Sequence, residues 1–432
     1  MRGDARGRRR TGPEQAVALV LVWALLSFGC GSETRQEEPG RRDVQQVADT
    51  TVVMTWRPAV PDTARLVPVT RIGRSDGPEE HLLWGRYPFT VGGHGEVYFA
   101  DGDGIRVFSP DGSRVRRIAG RGEGPGEIRF VTGMAVDERG RLLAVDLGNA
   151  RVAVYDTSGP VLDHWRRPIG RPGYGSSAVI PIPGRETLLP LNPALDPAGP
   201  PQAYPRPIFV RLDSAGAVLD TVFAPVRLAE KCPVLEDPHF SGGYWQDSRE
   251  AMFPMVKWTA SRAGEIIYGC PASYEVDRLQ PDGRVLRILH HREPTLEPAP
   301  SRKAFIEGLE YGMSVTRGAW RWRGPEPPAE RPYYDRVIVA RDGRLWIWPG
   351  YPREPYEPAG FPGRTGWRRP STGAFDVFAP DGTFLGVVPL PEGADYHPFP
   401  GAEDPFIAGD TIWLARRDSM DVLFIDRMLI RW

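Results

Sequence analysis

Gly73-Arg74-Ser75-Asp76-Gly77 has the G-x-S-x-G spacing that presents a nucleophilic serine when it sits on a strained strand-to-helix turn. Here the flanking residues alternate as strands do, and the matching position one repeat later is Gly122, so a turn is the expected role. Asp101-Gly102-Asp103-Gly104 begins like a calcium loop but lacks the later acidic positions and the closing Glu. The seven histidines, at 81, 94, 164, 239, 290, 291 and 397, contain no HxH pair, and neighbours 290 and 291 would face opposite sides of a strand. No catalytic residue is identified, and no metal ligands are assigned. The more distinctive chemistry is recognition. Tyr244, Trp245, Trp320, Trp322, Tyr351 and Trp367 stand near Arg321 and Arg323, and such aromatic and arginine sets anchor protein partners, stack on sugars or hold anions.

The elements that must position these residues are short strands. The 432 residues include 49 Gly and 46 Pro, are 41% hydrophobic and carry a formal net charge of −1. This describes a folded, turn-rich chain, and the balanced charge argues against nucleic acid as a partner. Turns of one kind recur as SPDG, DTSG, DSAG, QPDG and APDG, ending at Gly112, Gly159, Gly216, Gly283 and Gly382. A second kind precedes the partner strand at Gly95, Gly140, Gly264, Gly343 and residues 408–410. Asp and Gly supply the local hydrogen bonds and positive φ that tight hairpins need.

Longer stretches repeat as well. IGRSDGPEE from Ile72 aligns with AGRGEGPGE from Ala119, GEVYFAD from Gly95 with GRLLAVD from Gly140, and IRVFSPDG from Ile105 with VAVYDTSG from Val152. Together these units resemble NHL-type six-bladed β-propeller repeats, and the chain after about residue 60 is similar to bacterial six-bladed β-propeller lipoproteins. The third unit (ETLLPLN) is degenerate, and the GPGE motif is missing after the second. The resemblance implies an all-β fold of six four-stranded blades, called a to d outward, over residues 65–432. The last unit is short of one strand, and residues 65–72 precede the first GxxxGP motif as a fourth strand should. An N-terminal strand is therefore expected to close the C-terminal blade and remove a sheet edge. One short inserted helix is expected over 301–312, with Phe305, Ile306 and Leu309 inward.

The N-terminus reads as an address. A head rich in arginine precedes an apolar run over 16–28, too short to span a bilayer, followed by Gly29 and Cys30. This resembles the lipobox of bacterial lipoproteins, with Ser27 where Leu is usual. The expected organisation is a signal peptide over 1–29, a flexible tether over 30–64 and the propeller beyond. Lipidation of Cys30 would anchor an exported protein in the cell envelope, with a plain signal peptide as the alternative. Cys232 and Cys270 then remain, either as a disulfide or as separate buried thiols.

Four insertions interrupt the repeat, at 191–207, 223–253, 291–334 and 350–373. In a four-stranded meander, b–c and d–a connections emerge on one face and the short a–b and c–d turns on the other. All four insertions fall in the first group, which places the aromatic and arginine set on one loop-rich face. The leading expectation is an envelope-anchored, monomeric binding or scaffold protein that takes a protein or carbohydrate ligand there. The alternative is a propeller enzyme, a lactonase, other hydrolase or lyase, with a metal such as calcium in the central channel.

Overall fold

Each Asp/Gly turn of the sequence closes a hairpin, and six hairpin pairs fan around a common axis. The computed structural model describes residues 40–432 except 41, 61–62, 86–87, 167–177, 192–207, 224–231, 233–251, 255, 319–320, 323–324, 358–364, 369–372 and 395–403. Blade 1 contains Phe89–Val91, Val97–Asp101, Gly104–Phe108 and Val115–Arg121. Blade 2 contains Val131–Val136, Arg141–Asp146, Arg151–Asp156 and Val161–Arg166. The degenerate third repeat still forms four antiparallel strands, Ile180–Ile182, Glu186–Leu191, Ile208–Leu212 and Val218–Phe223. Blades 4 and 5 run from Lys257–Ala260 to Val285–His290 and from Tyr334–Val339 to Phe384–Pro389.

Blade 6 shows how the ring closes. Phe406–Ala408, Thr411–Arg417 and Leu423–Arg431 supply three strands, and Arg65–Ile72 pairs antiparallel with the last of them, Ile72 opposite Ile425 and Arg65 opposite Arg431. The expected closure is what the structure contains. The chain is a six-bladed β-propeller.

Packing completes it. Six hydrophobic clusters lie one at each boundary between neighbouring blades, including the seam. At the seam Ile72, Trp413 and Ile425 of blade 6 meet Val97, Phe99 and Phe108 of blade 1. Each fully buried aliphatic or aromatic side chain contributes about 1.5–3 kcal/mol, so no blade is stable without its neighbours. The c–d turns press on the blade before. Gly112 has φ +71°, and a Cβ there would be tight, 3.1 Å from Ile72 Cδ1 and 3.2 Å from the Arg71 carbonyl oxygen; Gly382 packs likewise on Val53.

Two expectations need correction. The flexible tether over 30–64 does not hold from residue 42 onward, where Arg42–Val47 and Thr50–Thr55 form a hairpin. Its second strand pairs in parallel with Val285–His290, the outer strand of blade 4, and buries Val53. The backbone then runs along blade 5, where Ala59, Val60 and Ala64 donate to the carbonyls of Phe384, Leu385 and Val387 at 2.8–3.1 Å. Residues 42–72 thus cover the outer edges of three consecutive blades; the unmet backbone groups of those edges are the physical reason the segment is ordered. The inserted helix, α1, is also longer than 301–312. It covers Ala299–Arg317, starting directly after Pro298 and packing through Phe305 and Leu309 on either side of Gly308. The signal peptide, Cys30 and residues 30–39 lie outside the described residues. No helix among the described residues is long and apolar enough to cross a membrane.

Candidate functional site

The loop-rich face is built mainly from the insertion between blades 4 and 5. The chain leaves blade 4 at His290, runs out through Leu296 and turns at Pro298 into α1. It returns antiparallel to its own start, with Glu297 N–H donating to Ala329 O at 2.8 Å and Arg331 N–H to Thr295 O at 2.7 Å. One stripe of α1 is apolar, and Phe305 and Leu309 on it pack with Met252, Phe253, Ile306 and Trp322. Phe253 stacks near-parallel on Trp322 at 6.2 Å, and Phe305 meets both edge-on. Met252 and Phe253 end the 223–253 insertion, so two insertions share one small core.

Glu297 joins the third. Its buried carboxylate accepts from the Ser301 hydroxyl on α1 and from the Arg353 N–H at 3.3 Å, and lies 3.6 Å from Arg331 Nε. Arg331 is buried too and donates from Nη2 to Asp335 at 3.3 Å, at the start of the first strand of blade 5. Arg353 belongs to the 350–373 insertion and places its guanidinium 5.8 Å from the Phe305 ring centroid. The hairpin of that insertion, Glu354–Tyr356 paired with Gly366–Arg368, touches α1 through its second strand. A buried carboxylate is stable only when paired and hydrogen-bonded. Glu297 therefore holds α1, the return strand and the blade-5 insertion in one arrangement.

Beneath this wall lies a second polar cluster. Asp376 is buried, and accepts from Tyr274 Oη at 2.7 Å and from Arg292 Nη1 at 2.6 Å. Desolvation raises the Asp376 carboxyl above the usual range despite Arg292 beside it, and burial together with Asp376 pushes the Tyr274 phenol well up. The arrangement seats blade 5 against blade 4.

The predicted site residues fall into three groups. Tyr244, Trp245, Trp320 and Arg323, with the whole of 192–207, lie outside the described residues. Trp322 and Tyr351 are half-buried, with polar atoms engaged inside the chain: the indole N–H donates to Pro325 O at 3.0 Å, and the Tyr351 hydroxyl exchanges hydrogen bonds with Ala374 at 2.9 Å. Tyr351 also packs edge-on against Trp348. Trp367 is half-buried in the second strand of the inserted hairpin, and Arg321 is exposed 3.9 Å from Glu310. Tyr356 on the hairpin, one of the aromatics of the insertions, is 38% exposed, and Tyr311 on α1, 74% exposed, adds aromatic surface that was not singled out from the sequence.

The acidic candidates serve the repeat. Asp101 pairs with Arg106 at 2.6 Å, and Arg106 donates to the carbonyls of Glu80 and Leu82 at 2.8 Å. Asp146 lies 3.6 Å from Arg151, which clamps the GEGPGE loop through the carbonyls of Gly124 and Glu127. Repeat aspartates therefore hold loops through arginine, and Ser75 lies in the loop ahead of such a clamp. Among the described residues no three His, Cys, Asp or Glu side chains gather closely enough to hold a metal ion. Cys232 and Cys270 are joined as a disulfide that ties the 223–253 insertion to the end of the second strand of blade 4.

No family model and no curated protein matches the chain. Among solved structures, a DUF4221 family member from Bacteroides vulgatus superposes with a TM-score of 0.51 at 13% identity, over 85% of this chain and 99% of that one. What they share is the propeller fold. A protein assigned as exported from Bacteroides fragilis gives 0.49 at 12% identity, over 88% and 100%.

Proposed function

We propose that the protein is an exported binding protein, anchored to the envelope through a lipid on Cys30, whose loop-rich face receives a protein or carbohydrate ligand. The observation that carries this reading is the convergence of three insertions on Glu297 and Phe305, which turns separate loops into one rigid surface. Loops fixed on a stiff scaffold are where binding is placed, because the scaffold removes the entropy cost of ordering them. Arg321, Tyr311 and Tyr356 present the exposed aromatic and cationic part of that surface, and Trp367 is half-buried in the hairpin that carries Tyr356. Export is supported by the apolar run ending at Gly29-Cys30 and by the disulfide, which fits an oxidising compartment. The protein acts as a monomer, and the lipid alone contacts the membrane.

The test is direct. The soluble mature chain is screened against purified envelope proteins and a glycan panel, and any ligand found is titrated with Trp367→Ala and Arg321→Ala. Each substitution should weaken binding by about tenfold or more while melting is unchanged. Full affinity in both variants contradicts the assignment of this face.

A further inference from the structure

The first strand of each blade lines the central axis, and neighbouring first strands touch in blades 1 and 2, 2 and 3, and 4 and 5. The six a–b turns that end these strands surround the axial mouth opposite the insertions, and all six are described. Two of them send an arginine inward. Arg262, just after Lys257–Ala260, donates from Nη2 to Val136 O at 2.9 Å. Arg341, just after Tyr334–Val339, donates from Nη2 to Val91 O at 3.1 Å. Val136 and Val91 end the first strands of blades 2 and 1. Each arginine therefore skips one blade, from 4 to 2 and from 5 to 1, and on a six-membered ring these two spans run side by side across the mouth.

Two of the nearby carboxylates are already engaged by other arginines. Asp137 and Glu138, in the blade-2 turn, act on Arg262, but Asp137 already accepts from Arg141 Nε at 2.8 Å. Asp342, beside Arg341, is likewise taken by Arg344 at 2.7 Å. Arg341 is held in place by its N–H to Ile407 O at 2.9 Å and by the Phe406 ring, 4.6 Å from its guanidinium carbon. Its Nε is buried and makes no hydrogen bond. Burial and the facing Arg262 bring Arg341 down to about 10, while burial also lowers Arg262. Two like charges side by side, one of them with an unmet buried donor, are unfavourable as they stand. A planar oxyanion would neutralise the pair through charge-assisted hydrogen bonds from the guanidinium N–H groups, for which the guanidinium fork is suited.

We infer that this mouth is an anion-binding site in which Arg262 and Arg341 together hold the carboxylate or phosphate group of a small ligand. It lies on the face opposite the insertions and is independent of the ligand proposed there. Inorganic phosphate and acetate are titrated calorimetrically into the mature protein, with chloride at matched ionic strength as the control. Saturable binding of either oxyanion, weakened about tenfold or more in Arg341→Gln and in Arg262→Gln, is expected, and the oxyanion preferred tells phosphate from carboxylate. Equal binding in both folded variants, or the same response to chloride, overturns the site. Crystals of the unaltered protein in selenate provide a reading that needs no variant. An anomalous peak within hydrogen-bond distance of both guanidiniums is expected, and its absence at saturating selenate overturns the inference.

Discussion

Arg71 meets Asp426 although 355 residues separate them, donating from Nε and Nη2 to the two carboxylate oxygens at 2.8 and 3.0 Å. Asp426 is buried and accepts a third hydrogen bond from Arg416 at 2.8 Å, while Arg71 lies over the Phe424 ring. Closure thus rests on a buried carboxylate as well as on the ladder between Arg65–Ile72 and Leu423–Arg431. Asp426→Ala should lower the free energy of unfolding by about 2 kcal/mol, measured in urea. Arg71→Ala should cost less, since its side chain is 48% exposed and Arg416 remains. Wild-type stability for Asp426→Ala would remove the carboxylate from the closure account.

The N-terminal hairpin brings a pH dependence. His290 Nδ1 lies 3.0 Å from the Thr55 hydroxyl, and its ring packs among Tyr274, Phe378 and Phe384. Burial first, then the neighbouring Arg292, brings its pKa down from 6.5 to about 3. Between these values the unfolded chain holds a proton that the folded one refuses, so this histidine makes stability fall as pH drops below 6.5. His290→Asn should show a shallower loss of melting temperature from about pH 6.5 to about pH 4 than the wild type. Parallel curves would assign the acid sensitivity to other groups.

The disulfide closes a loop with a sequence separation of 38. On the chain-entropy account that is worth about 4 kcal/mol. Cys270→Ser, or mild reduction of the wild type, should lower the melting temperature, and reduction should leave Cys270→Ser unchanged. A wild type insensitive to reductant, once free thiols are confirmed by alkylation, would contradict this.

Phe305 is the keystone of the insertion core, between Phe253, Trp322 and Arg353. Phe305→Ala should cost about 3 kcal/mol within that core. Hydrogen exchange should accelerate in α1 and at 252–254, while the central strands of blades 1 and 2 keep their protection. Tyr311→Ala, at an exposed position on the same helix, should leave exchange unchanged. Equal acceleration throughout the propeller after Phe305→Ala would mean that the insertion is not a separate unit.

The fold was legible because a propeller writes its turns repeatedly: SPDG, DTSG, DSAG, QPDG and APDG each end at a glycine with positive φ. The N-terminal hairpin was missed, although Val44 with Val47 and Val52 with Val53 carried a signal, because its strands sit in polar sequence and are stabilised by an edge from blade 4. The loop-rich face was placed by strand parity. Its organising residues were not, because Glu297, Arg331 and Asp335 look like ordinary surface charges until the insertion folds back and buries them. Trp322 and Tyr351 were chosen as aromatics, but residue type does not reveal that their polar atoms are met by Pro325 and Ala374.

A photoreactive residue distinguishes the faces of the protein in its native envelope. It is placed singly at Tyr356 and Tyr311 on the insertions and at Asp282 and Ser113 in c–d turns, all exposed. After irradiation, cross-linked product should form from Tyr356 or Tyr311 and not from the two turn positions. Product from Asp282 or Ser113 alone would contradict binding at the loop-rich face.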